Sequence, residues 1–318
     1  MKKIIKFLAP LIFVLSIAFS PASATTSSNA ILPAAVKAAN PPANFQNKYA
    51  TVNGVKLHYV IGGKGEPLLL VHGFGQNWYM WNRLLPELSK HFTVIAPDLR
   101  GVGESGRPAG GYDKKTMATD MHELMKSLGY KSLNLAGHDI GLMVAYAYAA
   151  QYPAEIKKVA LMDALLPGVE PVWSQVKSQA WWFGFFGMPH SGEIVSGKAN
   201  LFLTNFWPIV GYVKDPFTLA ERNEFIRAYS LPGATTGAFN WFAAFPQDAK
   251  DNEILMKTKL KMPLLAMGSE HFAAPFLASH SKLVADDVSE SIIKGSGHWI
   301  VQEQTAQVQR DLLAFFLK

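Results

Sequence analysis

Five short apolar runs do most to limit what this chain can fold into. They are residues 68–71, 93–96, 133–136, 159–162 and 264–267. Each is too short for a helix, and turn-forming residues flank them. Such runs predict strands buried on both faces of a mostly parallel sheet. Between them, residues 116–128, 142–151 and 305–317 repeat apolar side chains at helical spacing. Strand–helix alternation predicts an open α/β sheet. Upstream, residues 55–61 lie between Asn53-Gly54 and Gly62-Gly63, which reads as a hairpin strand. From Ala164 to Asn252 the alternation stops. That stretch holds five of the eight tryptophans: Trp173, Trp181, Trp182, Trp207 and Trp241. It is expected to be a mostly helical insertion covering one end of the sheet.

The amino terminus has the pattern of an export signal. Lys2, Lys3 and Lys6 precede an apolar stretch, and Ala22-Ser23-Ala24 has the small-residue pattern of a cleavage site. These three lysines supply half of the formal charge of +6. No basic run stands outside them, which argues against nucleic acid as a partner. The apolar stretch is short for a membrane span, so cleavage and export are expected, with an uncleaved anchor as the alternative. The chain has no cysteine, which removes disulfides, thiolate chemistry and cysteine-ligated metals. The expected organisation is a leader at 1–24, a flexible segment at 25–47, a first core part at 48–163, a helical cap at 164–255 and a second core part at 256–318.

Chemistry concentrates at three strand ends. Gly137-His138-Asp139-Ile140-Gly141 follows an apolar run and precedes a helix. Small residues on both sides permit a sharp strand-to-helix turn, on which Asp139 stands exposed where many hydrolases carry serine. Asp139 could instead cap the helix. His72-Gly73-Phe74-Gly75-Gln76 ends an earlier strand. In such a fold the backbone N–H groups of Phe74 and Ile140 would form an oxyanion hole. Lys294-Gly295-Ser296-Gly297-His298-Trp299 puts a histidine on a glycine-rich loop before the last helix, the place of a general base. Two acids compete to orient it. Asp163 is favoured because it directly follows residues 159–162, and Glu270 is the alternative. His58, His91 and His190 read as packed or surface histidines. Gly101-Val102-Gly103-Glu104-Ser105-Gly106 matches a dinucleotide fingerprint, but a loop follows it rather than a helix, so no such site is expected. No metal ligand pattern is visible.

Together, residues 72–76, Asp98-Leu99-Arg100-Gly101, residues 137–141 and Gly297-His298-Trp299 resemble the epoxide hydrolase and dehalogenase branch of the α/β-hydrolases. The resemblance spans nearly all of residues 49–318 and is strongest toward the secreted, Cif-like bacterial epoxide hydrolases. It implies the α/β-hydrolase fold: a mostly parallel eight-stranded sheet flanked by helices, with an inserted helical cap. It also implies a nucleophile at Asp139, a base at His298 and an orienting acid at Asp163, with no metal or organic cofactor. A small apolar electrophile would be the substrate, and a homodimer is compatible with this reading.

The cap departs from the family pattern. The family opens epoxides with two donors from the cap. At the matching positions stand Trp182 and Phe242, beside Phe183. An indole N–H is no acid, and phenylalanine has no polar atom. Tyr212, Tyr229, His190 and Asn205 are the replacements that sequence proximity offers. Gln76 and Trp299 are expected to line the pocket. Epoxide hydrolysis is the leading expectation, a haloalkane or haloacid dehalogenase the alternative, and a binding or virulence protein on a reduced hydrolase fold a further one.

Overall fold

A computed structural model of the protein describes residues 37–318. The leader at 1–24 and most of the segment at 25–47 lie outside the described residues. The eight strands are β1 (Phe45–Val52), β2 (Val55–Gly63), β3 (Glu66–Val71), β4 (Phe92–Pro97), β5 (Leu133–His138), β6 (Ile156–Met162), β7 (Leu264–Ser269) and β8 (Val288–Ile293). They form one sheet in the order β1-β2-β4-β3-β5-β6-β7-β8. β1 and β2, and β2 and β4, pair antiparallel, and the other neighbours are parallel.

The helices that flank the sheet are α1 (Leu85–Leu88), α2 (Lys114–Ser127) and α3 (Ile140–Gln151) early in the chain. Between β6 and β7 come α4 (Val172–Gln179), α5 (Trp181–Phe186), α6 (Ser191–Val195), α7 (Ala199–Val210), α8 (Leu219–Ser230), α9 (Ala234–Ala243) and α10 (Phe245–Leu255). The chain closes with α11 (Ala274–Val284), α12 (Ile300–Glu303) and α13 (Thr305–Phe316). Every residue of β5 and β7 is buried, which explains their unbroken apolar runs: helices cover both faces.

The strand order fixes where a ligand can enter. From β3 the chain passes to β4 on one side, then returns to β5 on the other. Loops leaving β3 and β5 therefore part in opposite directions, and a crevice opens at their carboxyl ends.

The amino-terminal boundary needs a correction. The strand begins at Phe45, inside the segment read as flexible. Phe45 is buried and pairs with Gly62, and Asn47 Oδ1 bonds His58 Nε2 at 3.0 Å. The Ala39 N–H also donates to Glu224 Oε2 at 2.9 Å. His58 is a packed histidine, with Nδ1 on Asp98 Oδ2 at 2.9 Å. Residues 101–106 form turns, and no helix opens between them and Lys114.

Candidate active site

β3 and β5 pair side by side, with Val71 opposite Gly137. The turn after β5 is as tight as its glycines allow. A Cβ on Gly137 would lie 2.0 Å from Gly141 O, and one on Gly141 would lie 2.1 Å from Val71 O. Only hydrogen fits at either position, so the first turn of α3 sits directly on β3 and β5. Asp139, at the corner, takes φ 54° and ψ −121°, a conformation that costs free energy for any side chain. Its carboxylate makes no capping bond to α3. Instead Oδ1 accepts the Phe74 N–H at 2.7 Å, across the crevice. Ile140 is the first residue of α3, where a backbone N–H has no acceptor within the helix.

The other carboxylate oxygen of Asp139 faces His298 Nε2 at 3.4 Å. His298 Nδ1 donates to Asp163 Oδ2 at 2.9 Å. Asp163 is fully buried at the end of β6, also with a positive φ of 54°. Its second oxygen accepts the Ser269 N–H at 2.6 Å and the Ser269 hydroxyl at 2.7 Å, which leaves Oδ2 to the imidazole. The ends of β5 and β6, the loop after β8 and Ser269 at the end of β7 thus fix one line: Asp139, His298, Asp163.

Charge in this line is strongly coupled. Burial opposes a charged His298, yet hydrogen bonds and charges from Asp139 and Asp163 outweigh it and lift its pKa to about 10. Burial also works against ionised Asp139, but His298 and the Phe74 N–H hold its pKa below the usual carboxylate value. The resting site is therefore an imidazolium between two carboxylates at neutral pH. His138 behaves oppositely. Burial, with His298 beside it, depresses its pKa to about 4, so it stays neutral. Its Nε2–H donates to the His298 carbonyl at 2.8 Å.

These distances permit a definite chemistry. The Asp139 carboxylate, 17% exposed, can attack an electrophilic carbon, and an imidazole oriented by a buried carboxylate can activate water against the resulting ester. The matching family model is the alpha/beta hydrolase fold, over residues 66–191. A soluble epoxide hydrolase from Corynebacterium sp. (strain C12) is 33% identical over 84% of this chain and 96% of its own length. The chain belongs to the α/β hydrolases, among the epoxide hydrolases and dehalogenases. A fluoroacetate dehalogenase from Burkholderia sp. is 31% identical over 61% of this chain and 67% of its own. The crystal structure of the Cif epoxide hydrolase from Acinetobacter nosocomialis superposes with a TM-score of 0.78, at 27% identity, covering 86% of this chain and 90% of that one.

Around this hydrolase core, the remaining expected site residues fall into two groups. Phe242 is buried with its ring 5.0 Å from that of Phe74, and Phe183 lies 5.8 Å from Phe242. Trp182 is half-buried, 6.2 Å from Phe206. Phe74 gathers these rings: Phe186, Phe202, Phe206, Tyr229 and Phe239 also stand within 6.2 Å of it. One expectation is corrected. Glu270 does not reach His298; its carboxylate holds the Gly295 N–H at 2.9 Å and Lys294 Nζ at 3.0 Å on the surface. Gln76 is fully buried and donates to Gln302 Oε1 at 3.0 Å. Trp299 is also buried, with its indole N–H on the Trp207 carbonyl at 2.8 Å.

Two residues of the site escaped the sequence reading. His138 had a signal, a histidine inside a strand buried on both faces, but its partner lies 160 positions away. Ser269 carried less, a serine closing the apolar strand β7. His138, Asp163 and His298 also bring one potential metal-ligand atom each within 4.8 Å of one another. Asp163 and His298 are already bonded to each other in this cluster, at 2.9 Å. Among the described residues, no helix is long and apolar enough to cross a membrane.

Proposed function

We propose that this protein is an exported hydrolase that converts apolar epoxides to vicinal diols through an ester on Asp139. One observation carries the reading: the Asp139 carboxylate caps nothing, is held by the Phe74 N–H, and faces His298 Nε2 at 3.4 Å. In the first step an Asp139 oxygen attacks an epoxide carbon, the carbon–oxygen bond of the ring breaks, and the freed oxygen takes a proton. In the second, His298, which gives its proton to solvent once esterification of Asp139 removes one of the charges that held it, takes a proton from water, and the water oxygen attacks the Asp139 carboxyl carbon. Charge then gathers on the carbonyl oxygen, where the N–H groups of Phe74 and Ile140 receive it. As it returns, the bond from the carboxyl carbon to the alcohol oxygen breaks, that oxygen takes the proton from His298, and the diol leaves a restored Asp139 carboxylate. Asp163 holds the imidazole in its working tautomer. None of these steps calls on a metal or organic cofactor. The aromatic wall around Phe74 suits an apolar substrate. Export rests on the lysines, apolar stretch and Ala22-Ser23-Ala24 of the leader.

The first step needs a proton donor. Tyr212 is 56% exposed and stacks on His271, and His190 is exposed too. Asn205 spends its amide on the Leu201 carbonyl at the surface. Tyr229 is buried among the aromatic rings, and its oxygen accepts the Gly75 N–H at 2.6 Å. Burial pushes its pKa well above 10, so it keeps its proton at neutral pH. Tyr229 is therefore the donor we assign to the epoxide oxygen.

A second reading, dehalogenation, is favoured by Trp182 and Phe242. Halide leaves without a proton, so an indole N–H would suffice. One experiment tests both. His298→Gln is incubated with a panel of epoxides and alkyl bromides, and the protein is weighed intact. An adduct located on Asp139 is expected; its absence with every probe overturns the covalent mechanism. In the wild type, diol formation against bromide release then separates the two substrate classes.

A further inference from the structure

The last turn of α7 reaches both loops on which the hydrolytic step depends. A helix ends with carbonyl groups that have no partner inside it. In α7, the Val210 carbonyl accepts the backbone N–H of His298 at 2.8 Å. The Trp207 carbonyl accepts the Trp299 indole N–H at 2.8 Å. The Trp207 indole N–H, on the other side, donates to the Gly75 carbonyl at 3.2 Å, one residue beyond Phe74. Glycine marks both contacts. A Cβ on Gly297 would lie 2.4 Å from Tyr212 N, and one on Gly75 would lie 3.2 Å from the Trp207 indole nitrogen. Trp207 itself is buried and wedged against Phe217 at 4.8 Å.

We propose that Trp207 is a positioning residue that ties the Phe74 loop to the His298 loop. Through it the cap sets the separation between an oxyanion donor and the base. The proposal rests on the covalent reading above, and it predicts an uneven effect on the two steps. Attack by Asp139 uses neither the base nor the developed oxyanion. Ester hydrolysis uses both at once: water loses a proton to His298 as the carbonyl electron pair moves onto the oxygen that Phe74 and Ile140 receive.

The test is single-turnover kinetics with styrene oxide and, separately, 1-bromohexane, quenched and read by intact mass. Trp207→Phe keeps a ring and removes the N–H at Gly75. Trp299→Phe removes the N–H at the Trp207 carbonyl, and serves if the first variant does not fold. Each is expected to slow ester decay about tenfold, since small misplacements of catalytic groups cost up to about a hundredfold. Ester formation should stay within about twofold, so the ester accumulates. The double variant should cost less than the product of the two, because both changes loosen one tie. Equal slowing of both steps, or a lowered melting temperature with unchanged ester decay, overturns the proposal. His298→Gln is run beside them. If it traps ester while the tryptophan variants slow both steps alike, the tie alone fails. If it traps none, the covalent reading fails and the tie with it.

Discussion

The two walls of the crevice are built on opposite terms. At the strand ends, direction rules: Asp139, His298, Asp163 and Ser269 are each held by hydrogen bonds or facing charges from separate parts of the chain. Across from them, the cap offers aromatic rings spaced about one ring apart, with Phe186 and Phe239 at 4.6 Å and Phe186 and Phe242 at 4.9 Å. Packed apolar rings tolerate exchange as long as volume is kept, whereas a bonded polar line does not. The difference teaches where variation can enter. On the proposed reading, the strand ends carry the attack-and-hydrolysis chemistry, and the cap decides what leaves.

The hardest way to break this division is at Asp139. Asp139→Ser should reduce turnover to background while the protein still folds cooperatively, because Asp139 caps no helix and serine sits in the same corner. Retained turnover would move the chemistry away from the strand ends altogether. Second in size is the orienting acid. Asp163→Asn should cost about four decades in rate, the loss seen when an imidazole is left free to take the wrong tautomer. Glu270→Gln should leave steady-state turnover within about twofold, since its carboxylate serves Lys294 and Gly295 on the surface. The reverse ranking would return the role to Glu270.

The same division governs what could be read without a structure. Strands β3 to β7 announce themselves because each carries a short, mostly apolar run that is covered on both faces. β1 does not. It is an edge strand with residues such as Gln46 and Lys48 exposed, so its sequence looks like a tether and only pairing with β2 reveals it. Asp139 and His298 were legible because their settings demand glycine at close range. Asp163 against Glu270 stayed a choice, since both follow apolar strands, and only the path of Ser269 and His298 separates them. Gln76 and Trp299 stand beside legible motifs, but their partners, Gln302 and the Trp207 carbonyl, lie far along the chain and leave no mark in local spacing.

The cap supplies the third prediction. If it lacks a donor at the family position, Phe242→Tyr should raise turnover of styrene oxide by about ten- to a hundredfold, within the range that general-acid help provides. Bromide release from 1-bromohexane should change little. Tyr229→Phe should cut epoxide turnover by a similar factor and leave bromide release alone. If both variants leave epoxide turnover unchanged, the cap gives no proton and the dehalogenase reading gains.

The smallest effect is a displacement along the pH axis. In the resting protein two carboxylates hold a proton on His298 up to about pH 10. Esterification of Asp139 removes one of those charges and the hydrogen bond with it, while burial still disfavours the imidazolium. The base of the second step should therefore titrate below 10. Ester decay, followed in single turnover, should rise with pH through that lower midpoint and then level off. Asp139 stays ionised into acid, so ester formation should be flat over the same range. The folded protein feels the same coupling. Because the folded pKa of His298 lies above its ordinary 6.5, the stabilisation it gives is complete below pH 6.5 and is lost as pH rises through about 10. Asp139→Ser removes one partner of the imidazolium, so its stability should decline less than the wild type's over that interval. Parallel declines in the two proteins would mean that Asp139 does not hold the proton, and the line of charge at the strand ends would be shorter than drawn here.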